Sequence, residues 1–172
     1  GADRAQLDKV FSDTMEKLST KYPDDLDAAT LYAESMMNLK PWRYWTADGK
    51  PQEGTEHILQ VLESVLARNP QHPGAAHYLI HSVDDSVHAP LELRAAYAYA
   101  KIAPDSPHAQ HMTSHIFLAL GMWDETVAAN ERTIQLINDF LRARNKDAPL
   151  LGCGHPVTWL SYAYLQQGRF TD

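Results

Sequence analysis

Few of the common chemistries have the residues they need in this chain. Of its 172 residues one is cysteine, Cys153, which excludes an internal disulfide framework and a cysteine-rich metal site. No apolar run approaches the length that crosses a bilayer. The formal net charge is −7 and the lysines and arginines are scattered, which argues against nucleic acid as a partner. Phosphate-binding glycine loops, nucleophile elbows and H-E-x-x-H strings do not occur. Alternation of period two is not sustained anywhere, so no strands are expected.

What remains is a soluble composition, 44% hydrophobic and 22% charged, with helical periodicity along almost the whole length. Leu7, Val10, Phe11, Met15 and Leu18 form one stripe; Ala28, Leu31, Tyr32, Ser35 and Met36 form the next; Ile58, Val61, Leu62, Val65 and Leu66 form a third. Further helices are expected over 73–83, 89–102, 107–120, 123–142 and 155–167, about eight in all. Prolines punctuate them where proline is tolerated, at ends and first turns.

Two histidine pairs stand out. His77 and His81 are four apart, as are His111 and His115, and the pairs are offset by 34. A spacing of four puts both imidazoles on one helix face. The prolines keep the same register, Pro70 with Pro104 and Pro73 with Pro107. A period of 34 is that of a stacked helix–turn–helix repeat.

Leu120-Gly121-Met122-Trp123-Asp124-Glu125 and Leu165-Gln166-Gln167-Gly168-Arg169-Phe170 resemble the turn of a tetratricopeptide repeat, with glycine ending one helix and an aromatic residue near the next. Pro23, Pro70 and Pro104 resemble the proline that closes each repeat. His77-Tyr-Leu-Ile-His81 and His111-Met-Thr-Ser-His115 also resemble strings in bacterial tetratricopeptide proteins of unknown role. The chain departs from the pattern at an insertion, about 40–54, at a long connection, 142–154, and at 84–88, where the glycine turn is missing. The resemblance implies an all-α, right-handed superhelical solenoid of antiparallel helix pairs, read as one helical-repeat domain over 1–172. The last residues read as a turn toward a further helix, and the chain starts without a Met, so a fragment of a longer protein is expected.

The resemblance also implies that the first helix of each pair lines a concave surface. Steps of 47, from Pro23 to Pro70 and from Gly121 to Gly168, extend the histidine register to Thr30 and Glu34 and to Thr158 and Tyr162. The same step carries His108 to His155, and Asp84 lies one turn from His81. The expected groove is therefore Thr30, Glu34, His77, His81, Asp84, His108, His111, His115, His155, Thr158 and Tyr162. The fold makes a non-enzymatic scaffold for a peptide, protein segment or small ligand the first reading. The alternative is a divalent transition metal (zinc, nickel or copper) held by His77, His81, His111 and His115, with Asp84, Asp85 or Glu34 supporting the distal ring nitrogens. A metal-dependent hydrolase using Glu34 as base is the sharper form of it. Repeat duplication alone also yields equivalent histidines in a structural polar network.

Pro41-Trp42-Arg43-Tyr44-Trp45 reads as aromatics folding back onto the core, with a lid or contact patch as the alternative. Thr55 is a candidate N-cap, and His57, His72 and His88 read as surface or capping residues. Cys153 beside His155 is a possible ligand but reads as incidental. No membrane span is expected, the compartment stays open between cytoplasm and periplasm, and oligomeric state is not set by the sequence.

Overall fold

The computed structural model describes residues 3–145 and 154–171. It is all-α among the described residues, with eight α-helices and no strand beyond one isolated bridge between Trp45 and Pro51. None of these helices is long and apolar enough to cross a membrane. The chain divides into two compact units, Gly1–Ser82 and Val83–Asp172.

The first unit holds α1 (Arg4–Lys21), α2 (Leu26–Met37), α3 (Thr55–Arg68) and α4 (Pro73–Ser82). Each packs on its sequence neighbour, and α2 also meets α4. Asp3 and Asp25 cap α1 and α2 by accepting from the N–H groups of Ala5 and Ala28. An imidazole does the same for α4: His72 Nδ1 accepts from Ala75 N–H at 3.2 Å, and Nε2 lies 3.2 Å from Asp27. The core of the unit joins Ala33, Met37, Ile58, Leu62, Val65, Ala75 and Leu79, which are the periodic apolar positions of α2, α3 and α4. Thr55 is the first helical residue of α3 rather than its cap. Gly54, in the left-handed region at φ 92°, takes the cap position, and the Thr55 hydroxyl donates instead to Tyr44 O at 2.6 Å.

The loop between α2 and α3 splits its aromatics. Trp45 Nε1 donates to Ser82 O at 2.7 Å and Tyr44 packs against the core. Trp42 does not fold in: it is 69% exposed.

In the second unit, Ala89–Glu92 is a 3₁₀ turn, followed by α5 (Leu93–Ile102), α6 (Pro107–Ala119), α7 (Trp123–Arg144) and α8 (His155–Gln166). The helix expected from 89 starts at 93, preceded by the 3₁₀ turn that carries Pro90 in its first positions. The helix α6 is buried without interruption from Ala109 to Phe117, packed between α5 and α7. The glycine turns are alike in detail. At Gly121, Met122 N–H bonds Phe117 O and Gly121 N–H bonds Leu118 O; at Gly168, Arg169 N–H bonds Tyr164 O and Gly168 N–H bonds Leu165 O. Both glycines have positive φ, 69° and 73°. This is the Schellman closure, which satisfies carbonyls that a helix end leaves unpaired.

Candidate metal centre

The uninterrupted burial of α6 puts two imidazoles where neither reaches bulk water freely. His111 is 2% exposed and His115 is 5%. They lie one turn apart on α6, with ring centroids 5.0 Å apart. A third imidazole, His155, comes from the first residue of α8. Its centroid is 4.6 Å from that of His111 and 5.7 Å from that of His115. One ligand nitrogen from each of the three rings lies within 4.8 Å of the others.

The distal nitrogens of the two buried rings are held by neighbours. His111 Nδ1 is 2.7 Å from Asn130 Oδ1 on α7. The orientation of Asn130 is settled by its own amide, because Nδ2 donates to Thr126 O at 2.8 Å. Its oxygen therefore faces His111, and an acceptor there requires Nδ1 of the ring to carry the proton. That tautomer puts the lone pair on Nε2, which is buried and has no hydrogen-bond partner. His115 Nδ1 lies 2.7 Å from Asp84 Oδ2, a carboxylate in the turn before α5. Histidines that ligate metals regularly pass the other ring N–H to a carboxylate or carbonyl in this manner, which fixes the tautomer and strengthens the donor.

Burial and neighbouring rings disfavour the charged form of His111, His155 and His108. Burial, aided by His115, His155 and His108, pushes the His111 imidazole down to about 4, against the pull of its Asn130 hydrogen bond. His155 is lowered by desolvation and by His115, with Asp84 acting the other way. His108, an exposed residue of α6, is lowered by desolvation and by His115. Neutral imidazoles are the form that coordinates metal. The indole of Trp159, one turn along α8 from His155, packs against all three rings, at 4.3 Å from His115, 4.9 Å from His155 and 5.3 Å from His111.

The chain matches none of the protein-family models, curated proteins or solved structures with which it was compared.

The other residues of the expected groove fall in varied settings. His77 and His81 belong to the first unit, with rings 4.8 Å apart edge to face. His81 meets the edge of Trp42 at 5.2 Å and His77 meets Tyr78 at 5.1 Å. Among the described residues of that unit, no three His, Cys, Asp or Glu ligand atoms come within 4.8 Å. Thr30 is buried, and its hydroxyl donates to Leu26 O within its own helix at 2.8 Å. Glu34 is half-buried and accepts from Asn38 Nδ2 at 2.6 Å. Thr158 is exposed and bonds back to Gly154 O; Tyr162 is exposed and meets Trp123 edge-on at 5.9 Å. Asp85 supports a different ring, His88, at 2.8 Å. Burial works to raise the Asp85 carboxyl, but hydrogen bonds from the His88 ring and from the His88 and Val87 N–H groups outweigh it and hold it low. Cys153 lies outside the described residues.

Two contributors escaped the sequence reading. Asn130 sits 19 positions from His111, beyond any local spacing rule, although a polar residue three after Val127 on the buried stripe of α7 was a usable signal. Trp159 stands four after His155, a one-turn spacing as plain as those of the histidine pairs.

Proposed function

We propose that this protein binds a divalent transition metal through His111, His115 and His155, on a scaffold of tetratricopeptide-like helix pairs. The observation that carries the reading is the buried Nε2 of His111, a lone pair without a partner beside two further imidazoles. Leaving such an acceptor unsatisfied costs about 1–3 kcal/mol. Coordination recovers that cost. Three nitrogen donors suit zinc, copper or nickel. Ligand atoms of a tetrahedral zinc sit about 3.3 Å apart for bonds of roughly 2.0–2.1 Å, so an ion draws the three rings together by an ångström or so. His155, the exposed ring, supplies the movable ligand.

Binding is favoured over hydrolysis. Asp84, the carboxylate at this cluster, is committed to His115 Nδ1, and the indole of Trp159 lies against the rings rather than a second acid or base. The identical Schellman turns at Gly121 and Gly168 support the solenoid reading of the helix pairs. A peptide groove rests on that architecture alone and has no contact of its own to favour it.

The test is elemental analysis of protein purified without a metal-affinity column, followed by titration with zinc, nickel and copper. One ion per chain, lost on His111→Ala combined with His155→Ala, is the expected result. Free ion at 100 times its Kd adds about 2.7 kcal/mol of stability, which for a chain of this size raises Tm by roughly 5–10 °C. No bound metal and no change in Tm with any of the three ions rejects the proposal.

A further inference from the structure

The first unit carries a separate cavity that the histidine cluster of the second unit does not use. It has a volume of about 190 Å³ and is walled by Glu34 of α2, Trp42 and Tyr44 of the α2–α3 loop, and His77, Tyr78 and His81 of α4. Its lining includes no lysine, arginine or aspartate, so with the His77 and His81 imidazoles neutral the formal charge it presents is the single carboxylate of Glu34. Asn38 Nδ2 fixes that carboxylate at 2.6 Å. One hydrogen bond uses a fraction of the roughly four lone-pair sites of a carboxylate. The negative charge reaches the surrounding rings: the Tyr44 and Tyr78 phenols are both pushed up, first by burial and then by Glu34, with a backbone hydrogen bond at Trp42 opposing the shift for Tyr44.

The third aromatic wall is placed at a cost. Trp42 has φ 62°, the one positive φ outside glycine among the described residues. A bulky side chain there is an outlier, and such strain gathers at ligand clamps. Hydrophobic burial does not account for it, since the indole is 69% exposed. The strained backbone instead sets the indole on the rim of the cavity, edge-on to His81.

An acid held among aromatic rings is the chemistry that recognises an organic cation. We propose that this cavity binds an ammonium or guanidinium head, with Trp42, Tyr44 and Tyr78 as its aromatic walls and Glu34 as its counter-ion. A volume below the roughly 300 Å³ of the smallest drug-sized pockets limits the occupant to a head group. That head group comes either from a free small amine or from a basic side chain of a peptide. An anion is disfavoured by Glu34.

The experiment is calorimetric titration of the full chain, treated with chelator so that metal binding cannot contribute, at pH 8 in low salt. The probes are tetramethylammonium, n-butylammonium and guanidinium chlorides, a Gly-Lys-Gly peptide, and sodium acetate as the anionic control. Saturable binding of at least one cation, with no binding of acetate, is expected. Glu34→Gln weakens it at least tenfold, and Trp42→Ala weakens it by about 3- to 30-fold, the span of a cation–π contact. Trp42→Ala alters an exposed ring and carries the test if Glu34→Gln fails to fold. Tighter binding of the peptide than of n-butylammonium identifies a basic side chain as the source, and the reverse identifies a free amine; either supports the site. No saturable binding of any cation, binding of acetate instead, or unchanged affinity in both folded variants overturns it.

Discussion

Asn130 Oδ1 and His111 Nδ1, 2.7 Å apart between α7 and α6, settle which nitrogen of the buried imidazole carries the lone pair. Asn130 is fully buried, and its amide is anchored to Thr126 O. Changing it to alanine strands the His111 N–H and opens a small cavity. Asn130→Ala is expected to lose about 1–3 kcal/mol of stability, read by urea unfolding, and to weaken metal binding by roughly 10- to 100-fold. Intact affinity in a destabilised variant separates packing from ligand support and counts against the second role.

Asp84 makes the corresponding contact to His115 from a more exposed position. Asp84→Asn keeps the shape and can still accept from Nδ1, but it removes the charge. The expected result is a fold close to native by circular dichroism and a metal affinity lower by roughly 10-fold or more. Equal affinity shows that the carboxylate is a surface partner and nothing more.

Acid acts on the metal-free chain through His111. Its folded value of about 4 lies below the ordinary 6.5. Above pH 6.5 the ring is neutral in both folded and unfolded chains. As pH falls from 6.5 toward 4, the unfolded chain takes a proton that the folded chain declines, so stability drops with falling pH. The full effect approaches about 3 kcal/mol. Unfolding of chelator-treated protein at pH 7.5, 6 and 5 measures it, and His111→Gln is expected to flatten the curve across that window. Parallel curves for the two proteins assign the acid sensitivity elsewhere.

The turn at Gly121 needs a left-handed residue, φ 69°, to close α6. Gly121→Ala forces an L side chain into that region at a cost of roughly 1–2 kcal/mol, although the added carbon meets only the Trp123 ring at 3.6 Å. A Tm lower by about 2–8 °C is expected. An unchanged Tm shows that this turn relaxes to another closure.

Much of the fold was legible because its signals are local. Pro73 and Pro107 open α4 and α6 at the positions where a missing N–H costs nothing, and the apolar stripe of 58–66 lies within α3. The candidate site was legible in part. The spacing of His111 and His115 shows on one helix, and a step of 47 from His108 reached His155. The same step from the pair reached Thr158 and Tyr162, whereas the residues of α8 that touch the imidazoles are His155 and Trp159. The two rows are three residues apart, so a register carried by turn spacing finds the right helix but misses the face that packing selects. Asn130 and Trp42 were legible only in part, for other reasons. One is a contact between helices, and the other depends on a positive φ that no residue preference announces.

In the proposed reading, three imidazoles of the second unit converge on one ion. The most direct measurement is a zinc titration in competition with a chromophoric chelator, run on the native chain and on His155→Ala. His155 is exposed, so its removal takes away a ligand without disturbing the core. One equivalent of zinc bound by the native chain, and an affinity at least 10-fold lower in the variant, is the expected result. Failure of the native chain to compete for zinc, or equal affinity in the variant, contradicts it.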